Sequence, residues 1–159
     1  MGFKEIIFKE TEIQTAGVLD FKEFLSNLRE FFKRYDFGVD EKKYETKAKE
    51  GLKNTNLKWM CDRKYNDYSE GIINVTIELT NYKEGYADGK KIVEGDLKVK
   101  INGEMNRDYG DKWKNSTPKI FFRAIYDKYV VNVKEGIADS ELKKTIKNLI
   151  AEIKQYLQI

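Results

Sequence analysis

The sequence has no histidine, one cysteine (Cys61) and one proline in 159 residues. Without imidazole, a Ser-His-Asp triad, a Cys-His pair and a histidine-ligated zinc or haem are excluded. One cysteine excludes an intramolecular disulfide and a cysteine-rich metal site. The sequence therefore predicts no cofactor and no metal, and it favours a binding or structural protein over an enzyme.

Long apolar runs and an excess of one charge are also lacking. The chain carries 30 basic and 27 acidic residues, a net charge of +3, which is not the one-signed field of a dedicated nucleic-acid binder. No segment approaches the roughly 20 apolar residues of a membrane-spanning helix, and the first residues lack the apolar core of a signal peptide. We therefore expect a cytoplasmic protein with no membrane span.

The composition indicates a folded chain, because 40% of the residues are apolar and 13% are aromatic, whereas disordered chains have few aromatic residues. A length of 159 residues fits one domain with its own core. We therefore expect a single domain over 1–159.

Apolar spacing predicts one helix followed by an antiparallel meander. Asp20 is a suitable N-cap for an amphipathic helix over 20–35, whose apolar residues recur at three and four positions. Period-two alternation predicts strands, and Asp88-Gly89 is a hairpin-turn sequence. The predicted strands span 3–13, 57–65, 73–80 and 97–102, with an edge strand at 37–49 and turn-rich breaks at 51–56 and 66–71.

The predicted hairpin contains a conflict of register. A two-residue turn at 88–89 would place Ile77 opposite Lys100, so that the apolar residues of the two strands would face opposite sides of the sheet. One extra residue must therefore be accommodated by a β-bulge or a longer loop. Gly85 and Gly95 are the predicted bulge positions, because bulge residues often need a positive φ.

Two helices are predicted after the sheet. A Ser-Thr-Pro sequence begins a helical pattern over 117–130, after which 130–133 is expected to be extended. Asp139 is expected to cap a final helix over 139–158. The predicted fold is α+β: an antiparallel meander sheet of about five strands, with an N-terminal helix and two C-terminal helices packed on one face.

This order of elements resembles the helix-grip topology of the START and Bet v 1-like proteins. In that family, a curved sheet grips the last helix around an apolar cavity for lipids or other hydrophobic molecules. The sequence departs from the family in having one helix after the first strand where the family has two, one strand fewer, and an additional helix at 117–130. The resemblance implies a hydrophobic ligand between the sheet and the helices.

A repeated R-x-Y-x-D pattern supplies the candidate polar groups. In a strand, Arg63 and Tyr65 continue the inward face of Trp59, and Arg107 and Tyr109 continue the inward face of the return strand. Two guanidinium groups at one end of an apolar face could bind a carboxylate or phosphate. The alternative is a solvated rim, at which Asp67 and Asp111 are turn residues.

These residues predict a non-enzymatic domain that binds a small hydrophobic molecule carrying an anionic group. The two arginines would orient the anionic group. The expected ligand-binding residues are Trp59, Arg63, Tyr65, Arg107, Tyr109, Phe122 and Tyr126. Cys61 lies on the same face as Trp59 and is interpreted as a small core residue.

Other functions remain open at this point. The apolar helix face at 117–131 could allow self-association or assembly with a protein partner. A hydrolase or transferase that uses only Asp, Glu, Lys and Tyr is a third possibility, although no spacing identifies a carboxylate pair. Binding of RNA on the sheet is disfavoured, because the outward positions of the clearest strands carry no aromatic base-stacking residue. Those positions are Asn74, Thr76, Glu78, Lys98, Lys100 and Asn102.

Overall fold

The computed structural model describes residues 3–107 and 132–159, which form a five-stranded antiparallel sheet and two helices. The elements are β1 (Phe3–Leu19), α1 (Phe21–Arg34), β2 (Gly38–Lys49), β3 (Leu52–Lys64), β4 (Ser69–Ala87), β5 (Lys90–Arg107) and α2 (Asn132–Leu157). The strand order is β1-β5-β4-β3-β2. The predicted α+β fold with five antiparallel strands is confirmed. In the described ranges, however, one helix precedes the meander and one follows it; the other predicted C-terminal helix, at 117–130, lies outside them.

Helix α1 forms as its sequence predicts. The Asp20 carboxylate accepts a hydrogen bond of 3.0 Å from the backbone N–H of Glu23, which identifies Asp20 as the N-cap. Two basic residues in the last turn, Lys33 and Arg34, complement the negative end of the helix dipole. The buried side of the helix consists of Phe24, Leu28, Phe31 and Phe32.

Both helices pack on one face of the sheet, here called the inner face. The predicted inward residues are buried there, in one cluster with the apolar side chains of α1 and α2. The inward residues of β3, β4 and β5 in this core are Leu57, Trp59, Cys61, Ile73, Val75, Ile77, Leu79, Leu97, Val99, Ile101 and Met105.

The register conflict in the β4–β5 hairpin is resolved by a bulge in β4. Asp88 and Gly89 form the two-residue turn with positive φ angles of 51° and 78°. The pairing shifts by one residue between Thr80, opposite Asp96, and Lys83, opposite Glu94. The bulge is therefore confirmed.

The position predicted for the bulge was wrong. Asn81, with a φ of 51°, occupies the left-handed conformation that was assigned to a glycine. Gly85 pairs regularly with Ile92, and Gly95 lies on the opposite strand. Gly95 is needed there because a Cβ at this position would lie 2.6 Å from the Cβ of Tyr82.

Several strands are longer than alternation alone predicts. β1 continues past residue 13 to Leu19, which pairs with Val93. β3 begins at Leu52 within the predicted break at 51–56, because Leu52 pairs with Lys49 of the edge strand. β4 likewise begins at Ser69, within the predicted loop at 66–71. Backbone pairing with a neighbouring strand extends each strand where the side-chain pattern is weak.

Helix α2 begins seven residues earlier than predicted. Residues 132–133 are helical rather than extended, and Asp139 lies inside the helix rather than at its N-cap. Ala138, which is buried, extends the apolar stripe by one turn ahead of Leu142, so packing on the sheet continues the helix through Gly136. The described ranges contain no helix that is long and apolar enough to cross a membrane.

We expect Gly95→Ala to lower the free energy of unfolding by about 2 kcal/mol, because backbone atoms of Thr80 and Tyr82 leave no space for a methyl group. Gly85→Ala is the matched control in the same hairpin, since its Cβ would meet no atom within 4 Å. Urea denaturation followed by circular dichroism measures both variants. Equal stability of the two variants would contradict the proposed role of Gly95 at the bulge.

Candidate functional site

The first predicted arginine, Arg63, binds the end of a helix. Its Nη1 donates a hydrogen bond of 3.1 Å to the backbone oxygen of Tyr35, the C-cap residue of α1. Its guanidinium group lies 5.0 Å from the ring centre of Tyr65. Arg63 therefore points to the inner face, as predicted, and stabilises the carbonyl end of α1.

The second predicted arginine, Arg107, is buried between two carboxylates. Only 5% of the residue is exposed. Its Nε and Nη2 donate to one Glu5 oxygen over 3.1 and 2.9 Å, and Nη2 also lies 3.1 Å from a carboxylate oxygen of Asp139 in α2. Arg107 thus ties β1, β5 and α2 together.

These contacts bear on the predicted role of the two arginines, which was to bind the anionic group of a ligand. Both lie on the inner face at the same end of the sheet, in the rows that pair Arg63 with Gly71 and Arg107 with Ser69. A ligand anion at Arg107 would have to compete with Glu5 and Asp139. Three other predicted site residues lie outside the described residues: Tyr109, Phe122 and Tyr126.

Tyr65 is partly buried and packs against the core beside these arginines. Its ring lies over Gly71, where a Cβ would come within 2.5 Å of it. Its hydroxyl oxygen is buried, and no hydrogen bond from it to a described residue is found. The nearby Thr145 hydroxyl donates to the backbone oxygen of Glu141 over 2.8 Å. Burial raises the pKa of Tyr65 to about 12.

Trp59 and Cys61 are core residues. Trp59 is 2% exposed, and its Nε1 donates to a Glu41 oxygen over 3.1 Å while the Arg29 guanidinium lies 4.5 Å from the ring centre. Cys61 is fully buried, and burial, reinforced by Asp62, raises the pKa of its thiol to about 12. A thiol in this environment is a poor nucleophile.

A groove of about 540 Å³ separates the two helices. The apolar side chains at its floor, among them Phe24, Phe31 and Ile153, are already buried against one another. Its rim is polar, and Arg34 and Glu152 join across it over 2.6 Å. The groove therefore offers less apolar surface to a ligand than the cavity described next.

A second cavity, of about 600 Å³, lies between the N-terminal part of α1 and the sheet. We call it the open-end pocket. It exists because α1 begins at Phe21, while β4 and β5 continue to their turn at 88–89. Its walls include Phe21, Leu25, Tyr44, Thr55, Tyr82 and Val93, and its charged residues are Asp20, Lys22, Glu84, Lys90 and Lys91.

The walls of the open-end pocket combine an accessible ring with fixed hydroxyl groups. Tyr44 of the edge strand is 58% exposed. Tyr82 and Thr55 are buried, and their hydroxyl oxygens are 2.8 Å apart. The chain continues to the hydroxyl of Thr46, 2.9 Å from that of Thr55. These contacts hold the Tyr82 and Thr55 side chains in place before any ligand enters.

A charged triad borders this pocket. Glu84 lies 2.9 Å from Lys53 and 3.0 Å from Lys91. The hydrogen bonds from Lys53 and Lys91 lower the pKa of Glu84, and Glu84 in turn raises the pKa of Lys91. Glu84 and Lys91 are therefore charged at neutral pH, and Glu84 is held as a carboxylate rather than as a proton donor.

The sequence prediction missed the open-end pocket. Tyr44 was assigned only to a weak edge strand, although the assignment of that strand is confirmed at Gly38–Lys49. The available signal was the inward alternation of Tyr44 and Thr46 in that strand. The described ranges contain no cluster of three or more Cys, Asp or Glu side chains placed to hold a metal ion.

No protein-family model matches the chain, and no curated protein matches it significantly. The function is therefore inferred from the fold and from the geometry of the two ends of the inner face. The apolar segment at 117–131, on which the self-association hypothesis rests, lies outside the described residues.

We expect Arg107→Met to lower the free energy of unfolding by about 2 kcal/mol, because it removes charge-assisted hydrogen bonds to two carboxylates that are themselves 57% and 25% exposed. Arg34→Met is the control, since Arg34 also pairs with α2 but the side chains of Arg34 and Glu152 are 55% and 47% exposed. Its loss should cost less than about 1 kcal/mol. Urea denaturation giving equal effects would contradict the assigned role of Arg107.

We expect Tyr65→Phe to be at least as stable as the wild type at pH 7, because it removes a buried hydroxyl group with no described partner. Since folding raises the pKa of Tyr65 from 10.0 to about 12, the unfolded chain loses this proton first. The wild type should therefore lose stability between these pH values relative to the variant. Parallel pH profiles in urea denaturation would contradict a buried, neutral Tyr65.

Proposed function

We propose that this protein is a non-enzymatic domain that binds a small hydrophobic molecule in the open-end pocket. One observation carries the proposal: accessible aromatic and aliphatic side chains line a cavity of about 600 Å³ between α1 and the inner face. Small-molecule sites are typically concave, largely apolar and equipped with a few fixed polar groups. The open-end pocket has these features, and it presents more apolar surface than the groove between the helices.

The polar groups of this pocket favour binding over catalysis. The Asp20 carboxylate caps α1 through Glu23, and Glu84 is paired with two lysines. The two lysines lower the pKa of Glu84, whereas a general acid at neutral pH needs a raised pKa. The paired hydroxyl groups of Tyr82 and Thr55 can instead orient a ligand by hydrogen bonding.

We further propose a relation to the helix-grip proteins. The order of strand, helix, meander and long C-terminal helix supports it, as does the packing of both helices on one face. The proposed pocket differs from the sequence-based expectation in its position. It lies at the end of the sheet opposite Arg63 and Arg107, and those two arginines already bind groups of the protein itself.

We expect the uncharged dye Nile red to bind the native protein saturably, with a blue-shifted emission. Tyr44→Ala should weaken this binding about fivefold, because Tyr44 is an accessible wall of the pocket. Tyr86→Ala is the matched control, since Tyr86 is another strand tyrosine, 78% exposed, that does not line the pocket. Fluorescence titration measures all three proteins.

Two results would contradict the proposed function. One is the absence of saturable binding by the wild type. The other is equal weakening by Tyr44→Ala and Tyr86→Ala, which would place the dye on exposed tyrosines in general rather than in the open-end pocket. Both tyrosines are exposed, so their replacement leaves the core intact, and circular dichroism verifies the fold of each variant.

A further inference from the structure

We propose that the ligand of the open-end pocket is an aromatic anion whose acidic group is bound by Lys22 and Lys90. This inference rests on the proposed function and adds the chemical class of the ligand. Both lysines line the pocket. One lies in the first turn of α1 and the other at the start of β5, so together they border the pocket on its helix side and on its sheet side.

The charges around the pocket leave these two ammonium groups available. Lys53 and Lys91 are both paired with Glu84, whose carboxylate oxygens lie 2.9 and 3.0 Å from them. The other carboxylate of the pocket, Asp20, accepts the backbone N–H of Glu23. No ion pair within 4.0 Å is found for Lys22 or Lys90 in the described ranges, and the pocket therefore carries an excess of positive charge.

The arginines offer no comparable anion site. Of those in the described ranges, Arg29 pairs with Glu41 and Arg34 with Glu152. Arg63 donates to the backbone oxygen of Tyr35, and Arg107 lies between two carboxylates. An acidic ligand can bind at Lys22 and Lys90 without breaking an existing ion pair, which is not true at Arg107.

The aromatic part of the ligand follows from the walls. Tyr44 is 58% exposed and Phe21 is partly exposed, and both line the pocket. A planar ring can stack on such side chains and bury their remaining apolar surface. A flat ring and one acidic group are therefore the two features that this pocket can recognise together.

The test compares a charged probe with an uncharged one. The charged probe is 8-anilinonaphthalene-1-sulfonate, an aromatic anion, and the uncharged probe is Nile red. The double variant Lys22→Ser/Lys90→Ser should bind the sulfonate roughly three- to tenfold more weakly, the size expected for two exposed charge contacts. Its affinity for Nile red should be unchanged, which also shows that the pocket is intact.

The control variant is Lys143→Ser/Lys144→Ser. It makes the same change in net charge on exposed positions of α2, away from the pocket, and should leave sulfonate binding unchanged. Added salt should weaken sulfonate binding by the wild type more than by Lys22→Ser/Lys90→Ser, because exposed charges are screened over about 10 Å at 0.1 M ionic strength.

The outcomes separate the two proposals. If neither probe binds the wild type, the open-end pocket is not a ligand site and both proposals fail. If Nile red binds but the lysine substitutions leave sulfonate binding unchanged, only the anionic class is overturned. If they weaken it selectively, competition with naphthalene-2-carboxylate and 2-naphthyl phosphate then identifies which acidic group the lysines prefer.

Discussion

The fold and the pocket both depend on the β-bulge in β4, where the two residues Asn81 and Tyr82 lie opposite the single residue Gly95 of β5. This bulge shifts the pairing so that the apolar residues of β4 and β5 face the same side of the sheet. Without it, Tyr82 would fall on the outer face with Thr80, and Glu84 would be turned away from Lys53 and Lys91. The bulge therefore aligns the core and also places the hydroxyl of Tyr82 beside that of Thr55.

The inner face has two ends with different chemistry. At one end, Arg63 and Arg107 bind a helix carbonyl and two carboxylates, which fix α1, α2 and β1 relative to the sheet. At the other end, α1 begins too late along the chain to cover the strands, and lysines border an accessible aromatic wall. The guanidinium groups of Arg63 and Arg107 thus connect parts of the fold, and the ammonium groups of Lys22 and Lys90 are the ones proposed to bind a ligand.

Much of the fold follows from local patterns in the sequence. The Asp20 cap, the stripe of α1, the inward residues of the meander and the need for a bulge all derive from spacing of two or of three and four. The bulge position does not, because it depends on how Tyr82 packs against Gly95. Nor do the partners of Arg107, since Glu5 and Asp139 are distant in the chain. Predicting the open-end pocket requires knowing where α1 begins over the sheet, which only the tertiary packing determines.

The most direct test of this account is the location of a bound hydrophobic molecule, measured by ¹⁵N–¹H correlation NMR during titration with Nile red. We predict that the largest chemical-shift changes occur at Leu25, Tyr44, Tyr82 and Val93, which line the open-end pocket. Changes centred on Arg63 and Arg107, or on Leu149 and Ile153 in the groove between the helices, would contradict it.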